Sequence, residues 1–156
     1  MEASLNEWKQ DPSLAVSEEW LNDWIAELGD KHEMYHYLEG QTPQSLLDDK
    51  EEVLRDLPEK SKWLKSLSMY RVVNDLQDLR LGNHIRWIRT KPDGTVLLTN
   101  GGILVQTKFL QRGTYVVCKN GRQIMQYALD ECPTFQKLSA EEWLILLANE
   151  SANQIG

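Results

Sequence analysis

Apolar positions recur at helical spacing through the first half of the chain and alternate through much of the second. Trp20, Leu21, Trp24, Ile25 and Leu28 follow Ser17 and stop before Gly29, which predicts an amphipathic helix with a serine cap and a glycine stop. A short helix from about Lys31 to Glu39 comes next, with Asp30 as its cap, Glu33 folding back onto its first turn, and Gly40 ending it. Thr42-Pro43 then supplies a cap and a proline at the first helical position, and Leu46, Leu47, Val53, Leu54 and Leu57 line one face until Pro58. A fourth helical stripe runs through Trp63, Leu64, Leu67, Tyr70, Val73 and Leu76 to Gly82.

From Asn83 the period drops from 3.6 to 2. Five strands are predicted: His84–Ile88, Thr95–Thr99, Ile103–Phe109, Thr114–Lys119 and Arg122–Leu129, separated by turn residues such as Pro92-Asp93-Gly94 and Asn100-Gly101-Gly102. Asn120-Gly121 reads as a type I′ hairpin turn, pairing Lys119 with Arg122 and Thr114 with Tyr127. That register puts Thr114, Val116, Cys118, Gln123, Met125 and Tyr127 on an uncharged core face. Tyr115, Val117, Lys119, Arg122 and Ile124 take the other face. Five short antiparallel strands are too few for a sandwich, so closure as a small barrel is expected to bury them. After Pro133, Ser139 and Glu142 have capping-box spacing ahead of Trp143, Leu144, Leu146 and Leu147, predicting a final helix.

The pattern therefore predicts an α+β protein. Residues 1–80 form a helical region of about four helices, 81–138 a small antiparallel β-barrel, and 139–150 a helix packed on the rest. In strand number, glycine turns and the short helix after the last strand, residues 82–138 resemble an SH3-like small barrel, the architecture of Tudor-like and Sm-like modules. The resemblance implies a fold and brings no family motif, aromatic cage or site residues with it.

Charge sharpens this division. The net charge is −7, but residues 1–79 carry −10, residues 80–129 carry +7, and residues 130–156 return to −4. The basic block coincides with the strands, and cations beside flat rings suit a phosphate backbone and its bases. Arg86, Lys108, Arg112, Tyr115, Lys119 and Arg122 are the candidate polyanion-binding residues, with His84 as a second ring. Like charges opposite one another, as predicted for Lys119 and Arg122, cost a hairpin up to about 1 kcal/mol that an anionic ligand would relieve. The expected activity is non-enzymatic binding, most naturally of nucleic acid. An acidic protein surface or self-association through the tryptophan-bearing helices is the alternative, giving a scaffold or assembly subunit.

HEMYH, His32 to His36, spells the H-E-x-x-H pattern in which two histidines hold zinc and the glutamate activates water. A third ligand is missing: His84 is the remaining histidine and lies on a predicted strand, and Glu33 is already assigned to capping. His32 and His36 are thus weak metal candidates, no cofactor is expected, and the motif reads as a chance match. Cys118 and Cys132 make neither a disulfide framework nor a C-x-x-C pair. There is no signal-peptide pattern and no apolar run of about 18 residues. These features predict an intracellular protein, cytoplasmic or nuclear and not secreted, with no membrane partner.

Overall fold

A computed structural model describes Asp23 and residues 35–155. Its helices in that range are α1 (Pro43–Leu54), α2 (Lys60–Ser66) and α3 (Ala140–Ile155). Seven strands form an antiparallel sheet: β1 (Tyr70–Val73), β2 (His84–Thr90), β3 (Val96–Leu98), β4 (Gly102–Leu110), β5 (Gly113–Asn120), β6 (Gln123–Ala128) and β7 (Thr134–Lys137). The strand order is β1-β7-β2-β4-β5-β6, with β3 paired to β2. The chain is α+β, as its sequence predicts. The path of the sheet is open, however, ending at β1 and β6, and barrel closure is not found among the described residues.

Several local predictions hold for physical reasons that the sequence displays. The Thr42 side chain accepts a hydrogen bond from the Ser45 N–H, with Pro43 in the first turn of α1. The Ser139 N–H donates to Glu142 Oε1 at 3.0 Å, and the Glu142 N–H donates to Ser139 Oγ at 3.1 Å, completing the capping box of α3. Gly40 takes a positive φ where the chain leaves a helical turn, whereas Gly82 takes one inside the Arg80–Asn83 turn, not at a helix end.

The fourth helical stripe is corrected. Its first half is α2, but Tyr70–Val73 leaves the helix and pairs with β7, so the sheet begins well before residue 81. Over so short a segment, apolar spacing suits a helix or a strand alike, and the β-branched pair Val72-Val73 favours the strand. Strand β7 is a second addition, because the four residues Thr134–Lys137 are too few to display a period.

The hairpin register also differs. Asn120 pairs with Gln123 and Lys119 with Ile124, so the turn residues are Gly121 and Arg122. Gly121 has φ +62°, and no non-glycine among the described residues has a positive φ. A type I′ turn on Asn120-Gly121 would need two positive values, whereas a type II′ turn needs one, at a glycine in the first central position. The slip moves each partner by two residues and preserves which residues share a face. Val116, Cys118 and Tyr127 are accordingly buried, with Met125 packed against them. The direct Lys119/Arg122 repulsion does not arise.

Three apolar clusters hold the elements together. One side of the sheet buries Val73, Leu79, Ile85, Trp87, Leu104, Val116, Cys118 and Tyr127, with the Trp87 and Tyr127 rings stacked at 4.3 Å. On the opposite side, Leu54 of α1 and Trp63 of α2 cover Ile88 and Phe135. Leu46 of α1 joins Leu38, Leu138, Trp143 and Leu146 at α3. Tight backbone packing at the β2–β4–β5 junction explains Gly101-Gly102: a Cβ on Gly101 would stand 1.8 Å from the Ile85 carbonyl oxygen, and one on Gly102 2.7 Å from that of Lys119.

A buried ionic knot ties these layers at the start of α3. Arg71 Nε donates to Glu142 Oε2 at 3.0 Å, and both side chains are almost fully buried. The Tyr37 hydroxyl donates to the same oxygen at 2.7 Å. The guanidinium groups of Arg71 and Arg80 lie 4.6 and 4.8 Å from the Tyr37 ring centroid.

Candidate nucleic-acid interface

The register of the sheet assembles one row of side chains across six strands. Tyr70 of β1 lies opposite Lys137 of β7. His84 of β2 lies opposite Ile103 of β4, Ile103 opposite Lys119 of β5, and Lys119 opposite Ile124 of β6. Tyr70, Lys137, His84 and Ile103 also line a shared cleft of about 470 Å³, with Asn83, Leu138 and Ser139 on its wall. The row belongs to the side of the sheet on which α1 and α2 pack with β1, β7, β2 and β3. From Ile103 outward it stands exposed: Ile103 is 41% and Ile124 69% accessible.

Electrostatics in the row come from its lysines. Lys119 and Lys137 are exposed. Burial, followed by the nearby charges of Arg86 and Lys137, pushes the His84 pKa down, so at neutral pH it is an uncharged ring. The Tyr70 hydroxyl lies 2.9 Å from His84 Nδ1; with the phenol donating, Nε2 carries the proton. Burial raises the Tyr70 pKa, keeping the hydroxyl protonated. The result is two cations spaced by a tyrosine, an imidazole and two isoleucines.

No family model, curated protein or solved structure matches this chain. The site therefore stands on its geometry.

The candidate residues from the sequence do not form a single patch. Lys119 sits in the row, and Arg122 is exposed in the turn just beyond Ile124. Lys108 and Tyr115 are direct cross-strand neighbours, four residues along β5 from Lys119, or about 13 Å at a strand's rise per residue. Arg112 lies in the β4–β5 turn, at the far end of β5 from Arg122. Arg86 lies two residues along β2 from His84 and its charge reaches His84 and Tyr70, but it stands opposite Phe135 on β7 and its Nε is engaged, donating to the Thr99 carbonyl at 2.9 Å. Its guanidinium supports the β2–β3 arm instead.

Lys137 and Tyr70 are the additions, and both were hidden for the same reason. Each lies on a four-residue strand too short for pattern to reveal, and Lys137 falls within the acidic C-terminal segment. No signal in the sequence recovers Lys137, because Thr134, Phe135 and Gln136 are all buried and the four residues show no alternation.

Other chemistry in the chain is less developed. Cys118 is buried and its thiol is pushed up to about 12 by burial, so it is held protonated. His32 and Glu33 of HEMYH lie outside the described residues. His36 is exposed on the single turn that precedes Gly40, with Nδ1 3.1 Å from Glu39 Oε2. Among the described residues no three His, Cys, Asp or Glu side chains are grouped to hold a metal ion, and no helix is long and apolar enough to cross a membrane.

Proposed function

We propose that this protein is a non-enzymatic, intracellular interaction module whose exposed sheet face binds a polyanion, single-stranded nucleic acid above all. The observation that carries the reading is the transverse row Tyr70–Lys137–His84–Ile103–Lys119–Ile124, in which cations alternate with rings and apolar surface. Lysines neutralise phosphates, while Tyr70, His84 and the Lys108-flanked Tyr115 offer faces on which bases stack without regard to sequence.

The second reading is a protein scaffold, favoured by the exposure of Ile103, Val105, Phe109, Leu110 and Ile124. Fluorescence anisotropy of mixed-sequence single-stranded oligonucleotides in low salt separates the two. Lys119→Glu with Lys137→Glu should weaken binding by at least about tenfold, and Arg86→Gln should leave it near wild type. Absence of low-salt binding by the wild type, or an unchanged double variant, refutes the nucleic-acid reading.

A further inference from the structure

We infer that strand β6 is a docking edge for a second copy of this chain, joining two sheets antiparallel about a twofold axis. Strand β6 ends the sheet path and is paired along β5 alone. Proteins usually guard a free edge with lysine, proline, a bulge or brevity. β3 has three residues and β1 four, but β6 has six, QIMQYA, with no charge, glycine or proline. Ile124 at its start is 69% exposed.

The turn fixes which backbone groups the edge presents. Residues Asn120 and Gln123 close a two-residue turn and so exchange backbone hydrogen bonds within the hairpin. Alternation then directs the N–H and C=O groups of Ile124, Gln126 and Ala128 away from β5. A twofold pairing that uses all three residues sets Gln126 against Gln126 of the second copy and Ile124 against its Ala128. Beyond the paired strands, the turn that carries Arg122 in one copy would lie beside the 3-10 turn Leu129–Glu131 of the second copy, which carries Asp130, and the reverse by symmetry. Both residues are exposed. The edge is therefore complementary to itself in charge as well as in hydrogen bonding.

Pairing would also lengthen the anionic-ligand face, a consequence that rests on the function proposed above. Ala128 lies opposite Tyr115, and Tyr115 opposite Lys108. The row ending at Lys119 and Ile124 of one copy would continue through Ala128, Tyr115 and Lys108 of the other. Lys108 and Tyr115, offset from the row within one chain, would thus fall in line with it.

Light scattering of the full chain without nucleic acid, over micromolar to millimolar concentration, tests the pairing. The expected result is a rise from 18.1 kDa toward twice that mass. Gln126→Pro, which removes an outward N–H that the hairpin does not use, should hold the protein monomeric. Arg122→Asp and Asp130→Arg should each weaken association, and the two together should restore it. Gln126→Cys should form a reducible dimer on mild oxidation, because directly opposed residues in a hydrogen-bonded pair stand about 5.5 Å apart at Cα. A monomer at every concentration, or a dimer indifferent to Gln126→Pro and to the charge exchange, overturns the inference. Oligonucleotide binding by the monomer would be untouched by that failure.

Discussion

Lys50 is a cation in an apolar position. It lies between Leu46 and Leu54 on the buried stripe of α1, and is itself only 3% exposed. Its Nζ donates to the carbonyls of Leu67 at 2.9 Å and Ser68 at 3.3 Å, satisfying the end of α2. Burial lowers its pKa from 10.5 to about 8. Between those values the unfolded chain binds a proton that the folded chain does not, so stability rises with pH across that window. Urea unfolding at pH 7.5 and 9.5 should therefore show Lys50 favouring the higher pH. The difference between wild type and Lys50→Met should shrink or reverse accordingly; a pH-independent difference would contradict it. The heptad-like stripe was plain in the sequence, but periodicity treats a lysine as surface. Only the two carbonyls beside it explain why this one is inside.

At the scale of elements, helix starts were legible because caps are local. Thr42 and Ser139 each act within three residues of themselves. Strand pairing was less so, because it depends on partners far along the chain: β1 meets β7 more than 60 residues later. Asn120 illustrates the point. It looked like a turn residue, yet its side chain donates to the Gly101 carbonyl at 3.1 Å, bracing β5 against the β3–β4 connection. Glu142 does double duty in the same way, with one oxygen in the capping box and the other on Arg71 and Tyr37. The cap was visible from spacing; the ion pair was not. Glu142→Gln keeps an acceptor for the cap but strands a buried guanidinium, and should cost about 3–5 kcal/mol in chemical unfolding. Adding Arg71→Met should recover part of that loss. A cost below about 1 kcal/mol for Glu142→Gln would show that the knot does not hold the layers together.

For the whole molecule, the charge asymmetry in the sequence points to basic strands, and Lys119 and Arg122 of the proposed face belong to that basic block. What it could not supply was the transverse order of strands, which brings Lys137 from an acidic segment and Tyr70 from an apparent helix into line with Lys119. Backbone register, more than the charge block, defines the proposed face. Arg86, two residues along β2 from His84, is engaged instead by the Thr99 carbonyl.

The salt dependence of oligonucleotide binding tests that claim most directly. For single strands, the logarithm of the binding constant should fall linearly with the logarithm of salt concentration, with a slope of about −0.7 per phosphate neutralised. Lys119, Lys137, Lys108 and Arg122 acting together predict a slope of roughly −3. Lys137→Gln and Lys119→Gln should each make it shallower by about 0.7, while Arg86→Gln should leave it unchanged. A slope near zero, or one that Arg86→Gln alters and Lys137→Gln does not, would contradict the row as the binding face.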